Sequence, residues 1–186
     1  IDTAADELYA LSPDDFIERR QQLVAVAKQE GNRELATQIG KLRRPTRSAW
    51  LVNVLARQES DDLMALIELG TALQDAQQRM AGDELRQLSL QRRKAVDALA
   101  RRAVELGTEH GYTAPDGAVQ EVGQTLQTAL GDPEIGDLVR AGRLTQAVTY
   151  GGFGPTDLSS AFGASIPAKP GRPEQPQRLG RRPLGR

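Results

Sequence analysis

The chain is poor in residues that could perform chemistry. It has no cysteine and a single histidine, His110. Thiol catalysis, disulfides and multi-histidine metal sites are therefore excluded, and a Ser-His-Asp arrangement could form only around His110. That residue falls in the last turn of a helix expected over 84–110, where a partial positive charge suits the helix dipole. Capping explains it better than general-base catalysis does. The adjacent carboxylates Asp14/Asp15 and Asp61/Asp62 carry the chemistry of a hard-cation site. They also open expected helices, where acids complement the positive end of the dipole, and that reading takes precedence. Gly151-Gly152-Phe153-Gly154 lacks the Gly-Lys-Ser/Thr ending of a phosphate loop and reads as a turn, with Tyr150 and Phe153 pinning the chain to the body. No enzyme, cofactor or metal is expected.

Binding chemistry is better represented. No acid occurs between Glu34 and Glu59, whereas Lys41, Arg43, Arg44, Arg47 and Arg57 all fall in that interval with the only tryptophan, Trp50. Guanidinium groups grip phosphates and carboxylates through paired N–H donors, so Arg43, Arg44, Arg47 and Arg57 are the candidate partner-binding residues. Arg43 and Arg44 also suit the C-terminal dipole of a preceding helix. Around Trp50, apolar residues cover most of a helix, broken only by Asn53 and Arg57. A helix so apolar is buried, which makes Trp50 a core anchor rather than a stacking platform.

A second run, Arg92-Arg93-Lys94 with Arg101-Arg102, reads mostly as a solvated face. Arg92 differs from its neighbours. On a helical wheel it stands within about 40° of Leu85, Leu88, Val96 and Leu99, at the centre of an apolar stripe. An unpaired buried guanidinium is costly, so Arg92 must find a carboxylate, helix-end carbonyls or an outside ligand, with an internal partner in the space above Gly70 as the first expectation.

The elements that position these residues are helices. Ser12 with Pro13 opens one that ends near Gly31, and Asn32 opens a shorter one stopped by Pro45. Thr46 caps a third, to about 58, and Ser60 a fourth, to about 80. Ala81-Gly82-Asp83 joins that helix to a long one over 84–110, so the two must form an antiparallel hairpin. Helices over 116–130 and from Pro133 to near 142 complete the set, with Gly131 as a C-terminal cap. The fold class is all-α, a bundle of about seven helices built around the long hairpin, in a domain spanning 1–158.

Charge divides the chain. Residues 1–158 carry 18 Lys/Arg against 24 Asp/Glu, and residues 159–186 carry 6 against 1. The tail is rich in Pro, Gly and Arg and reads as disordered, because it has too little apolar surface to offset its ordering entropy. No apolar run reaches the ~20 residues of a membrane span, and no signal peptide is evident. A cytoplasmic protein is expected. The start at Ile1 suggests a processed or partial chain.

The run Leu42-Arg43-Arg44-Pro45-Thr46 with Ala49-Trp50 and Asn53, then Gln91-Arg92-Arg93, then Gly142-Arg143-Leu144 with Gly152-Phe153-Gly154, resembles a family of helical actinobacterial proteins with no established activity. The likeness spans most of residues 6–155. Members of that family often continue past a proline-rich stretch into a charged coiled coil, but no heptads follow Gly154 here. The tail reads as a linker or as an end. Together these features point to a non-enzymatic module that docks onto a macromolecule, with a protein as first choice of partner. The alternative is a nucleic-acid or ribonucleoprotein binder using the 41–57 patch and the Arg-rich tail, against which the acidic body argues. Self-association stays open.

Overall fold

The computed structural model describes residues 1–148. The expected tail and the Tyr150–Phe153 turn lie outside them. The described residues form eight α-helices and no sheet: α1 (Asp2–Ala10), α2 (Phe16–Gln29), α3 (Arg33–Gly40), α4 (Arg47–Gln58), α5 (Ser60–Gln78), α6 (Gly82–Glu109), α7 (Ala118–Gly131) and α8 (Pro133–Ala141). The all-α reading is borne out, with one helix more than the sequence suggested. The addition is α1, which has no side-chain cap at Ile1 to announce it but buries Ala5, Leu8 and Tyr9 at helical spacing.

Local chemistry sets most of the ends. The side chains of Asn32, Thr46 and Asp132 each accept a backbone N–H at the start of α3, α4 and α8. Four expectations needed correction. Ser12 caps a turn over 13–15 instead of the helix, and α2 starts at Phe16. Ser60 is itself helical, and Gly131 is the last residue of α7 without a left-handed φ. Finally, α3 stops at Gly40, so Arg43 and Arg44 are not at its carbonyl end. They belong to a non-helical segment held by buried Leu42, by an Arg20 guanidinium on the Leu42 carbonyl, and by the Tyr9 hydroxyl donating to the Arg43 carbonyl. Pro45 disfavours helical backbone at Arg44 as well.

Two apolar clusters result. The smaller joins Leu8, Tyr9, Phe16, Ile39 and Leu42 from α1, α2, α3 and the segment after it. Burial there pushes the Tyr9 phenol up to about 12, because the phenolate would lose its water. The larger cluster is built on α4, whose residues from Ser48 to Ala56 are all buried against α5, α6, α7 and α8. Trp50 is fully buried and meets Tyr112 edge-on at 4.9 Å. A Cβ on Gly107 would overlap Leu51, so the glycine lets α6 lie close against α4.

The expected hairpin is present: α5 and α6 pack along each other, and the chain reverses at Met80. The Ala81 N–H bonds to the Ala76 carbonyl and the Met80 N–H to the Gln77 carbonyl, closing α5 in the pattern usually built on glycine. Met80 is the only non-glycine residue with positive φ among the described residues, at 54°, and it is 91% exposed.

Candidate functional site

The residues singled out from the sequence separate into scaffold and surface. Asn53 is fully buried, and its side-chain amide donates to the Leu144 carbonyl at 2.9 Å while its oxygen accepts the Leu144 N–H at 2.8 Å. One side chain thereby satisfies a strand-like backbone pair in the segment after α8. Arg57 is half-buried, donating to the Asn53 and Gly142 carbonyls at 3.0 and 2.8 Å. Burial pulls its pKa below the usual guanidinium value. Its place is therefore inside the fold, clasping α4 to the left-handed Gly142 turn, rather than on the partner-binding surface expected from sequence. Next to it, Arg143 pairs with Asp2 at 2.7 Å and Asp6 at 2.8 Å, holding α1 against the end of α8. The hydrogen bond from Arg143 draws the Asp2 carboxyl below its ordinary range.

Arg43, Arg44 and Arg47 are exposed on and just after the turn that leads into α4. Arg47 lies over the Tyr112 ring, 5.3 Å from its centroid, which ties that cation to the body. Burial raises the pKa of the Tyr112 phenol. Its hydroxyl and the Trp50 indole N–H have no hydrogen-bond partner among the described residues. His110 accepts a hydrogen bond from Gln58 at Nε2 and donates from Nδ1 to the Leu106 carbonyl at 2.8 Å, both assigned from the network. This is the end-of-helix role expected for it.

Arg92 departs from expectation. It is exposed and makes no hydrogen bond or ion pair among the described residues. The space above Gly70 is taken by Leu130 of α7: a Cβ on Gly70 would stand 2.9 Å from the Leu130 methyl and 3.1 Å from its carbonyl oxygen. Because α7 ends there, α5 and α6 continue towards Met80 with their inner stripe only partly covered among the described residues: Ala76 is fully buried, but Leu73 and Leu85 are half-buried. The result is a cleft of about 870 Å³ between the hairpin and the end of α7. Gly70, Leu73, Leu85 and Arg92 line it from the hairpin, and Gln124 and Leu130 from α7. Among the described residues Arg92 is its only charged lining residue.

Arg92 and Leu73 thus line one cleft across the hairpin, on an open surface rather than in the closed core expected. The sequence signals for the cleft were the stripe passing through Arg92 and a methionine at the reversal. What could not be read was how far α7 would reach along the hairpin. Among the described residues no group of three or more His, Asp or Glu could hold a metal ion, and no helix is long and apolar enough to cross a membrane. No family model, curated protein or solved structure matches the chain.

Proposed function

We propose that this chain is a non-enzymatic, cytoplasmic helical interaction module, an adaptor or regulator that docks onto a protein partner. The observation that supports the reading is the end of the α5–α6 stripe, which is only partly covered among the described residues. Leu73 and Leu85 are only half-buried there, and Met80 is held at the tip in a backbone conformation that glycine adopts at lower cost. Exposed apolar residues also occur singly elsewhere, at Val26, Met64 and Val119, but at the tip they adjoin a cleft, the setting in which such surface marks a protein contact.

A second reading has its own support. Arg43, Arg44 and Arg47 stand together on the surface, in a stretch free of acids, as a phosphate-binding patch would require. The experiment that separates the two is co-purification of the native full chain with and without nuclease. A protein that stays bound after nuclease treatment supports the adaptor. Material lost with nuclease, and released steeply by salt, supports the nucleic-acid reading instead. Recovery of neither overturns both.

A further inference from the structure

We infer that the cleft between the α5–α6 tip and the end of α7 receives one amphipathic helix of a partner protein, with a carboxylate of that helix paired to Arg92. This inference rests on the adaptor reading and specifies it.

The shape argues for a helix. From Gly70 to Gln77 on α5, and from Leu85 to Arg92 on α6, the walls follow spacings of three and four residues. Each wall is about two turns, roughly 11 Å long. A helical cylinder roughly 10 Å across and two turns long occupies close to the 870 Å³ available. The fold already uses the same mode one step away, where α7 lies on the same hairpin with Leu130 against Gly70. An incoming helix would carry that third layer on towards the tip.

The chemistry argues for an acidic, apolar-faced helix from another protein. The walls offer Leu73, Leu85 and Leu130 for an apolar stripe, and Gln74, Ser89 and Gln124 for hydrogen bonds at its edges. Among the described residues Arg92 is the only charge in the lining and has no partner, so a buried carboxylate would find a guanidinium ready for two N–H bonds. A second copy of this chain fits less well. Its tip acids Glu84 and Asp83 already face Arg79 at 3.0 Å and Arg86 at 3.7 Å, and it would bring Arg92, Arg93 and Lys94 towards their own counterparts.

The absence of cysteine allows a single label. Ser89→Cys carrying an environment-sensitive dye would report entry into the cleft of the full chain. The probes are three stapled peptides of about 14 residues, roughly four turns. Each has leucines at i, i+3, i+4 and i+7, and they differ only in having Glu, Gln or Lys at the position opposite Arg92. The expected result is a blue shift, with the Glu peptide binding at least about tenfold more tightly than the Lys peptide. In Arg92→Glu that order should invert. Arg92 is exposed, so unchanged circular dichroism would show that this variant is folded. Absence of binding, equal affinity for all three peptides, or an order that Arg92→Glu leaves unchanged would overturn the inference. So would sedimentation showing that two copies bury Arg92 between them. A native partner that still co-purifies with the Arg92→Glu, Leu85→Asp double variant would remove the cleft assignment and leave the adaptor reading standing.

Discussion

The two ends of the α5–α6 hairpin carry similar sequence patterns and meet different fates. At the closed end, Leu63, Leu66, Val96, Leu99, Ala103 and Leu106 are all buried, because α4, α7 and α8 stack against that part of the hairpin. At the open end the same stripe continues through Leu73 and Leu85, yet both remain half-buried and Arg92 lies in solvent. The contrast shows that amphipathic periodicity specifies which face of a helix seeks cover. It does not specify how much cover the chain supplies. The uncovered part of such a stripe is therefore where an outside partner is to be sought.

The comparison breaks most directly at Trp50. Truncation to Ala would empty a fully buried aromatic site beneath Gly107 and Tyr112 and should cost about 3–5 kcal/mol by denaturant unfolding. If the loss were under about 1 kcal/mol, the closed end would not be the rigid half of the molecule. Two leucines of one helix sharpen the point. Leu106→Ala, at a fully buried position, should cost about 2–5 kcal/mol. Leu85→Ala, on the half-covered stretch, should cost about 1 kcal/mol or less. Equal losses would mean that the open end is as well packed as the closed one.

How much of this was legible in the sequence follows from the same distinction. Helix existence, the Asn32 and Thr46 caps, the Gly31 turn and the hairpin all depend on contacts between residues close in the chain, and they are readable from it. The burial of Trp50 was readable too, since apolar residues surround α4 on nearly every side. Arg57 and Arg92 were misplaced for a common reason. Each depends on an element distant in sequence: the Gly142 carbonyl that accepts from Arg57, and the end of α7 that stops short of Arg92. A helical wheel reports direction around an axis and is silent about position along it. The helix α1 carries little local signal, because no side chain caps it and its buried face is only Ala5, Leu8 and Tyr9.

Met80 tests whether the tip is shaped by stability alone. Its positive φ costs a non-glycine residue roughly 1–2 kcal/mol, and its side chain makes little return in packing at 91% exposure. Met80→Gly should therefore raise unfolding free energy by about 1 kcal/mol, read as a higher midpoint in urea. A loss of stability would show that the methionine packs in solution. If stability rises while partner binding falls, the tip retains methionine for contact at the expense of the fold.

The smallest expected change in stability belongs to Arg92, and it tests the comparison from the other side. Because Arg92 is exposed and unpartnered among the described residues, Arg92→Leu removes no internal bond. It should shift unfolding free energy by no more than about 0.5 kcal/mol. The same substitution makes the stripe apolar without a break from Leu85 through Leu99, on a surface that already includes Leu73. A single guanidinium there keeps the groove hydrated and like-charged towards a second copy, and leucine would remove both effects. Sedimentation should then show concentration-dependent association of Arg92→Leu, where the unaltered chain and Arg93→Leu show none at equal concentration. A large loss of stability would instead return Arg92 to a buried, paired role. A monomeric and equally stable Arg92→Leu would mean that the open stripe is too small to recruit a partner by apolar contact, leaving the exposed arginines before and at the start of α4 as the stronger candidate surface.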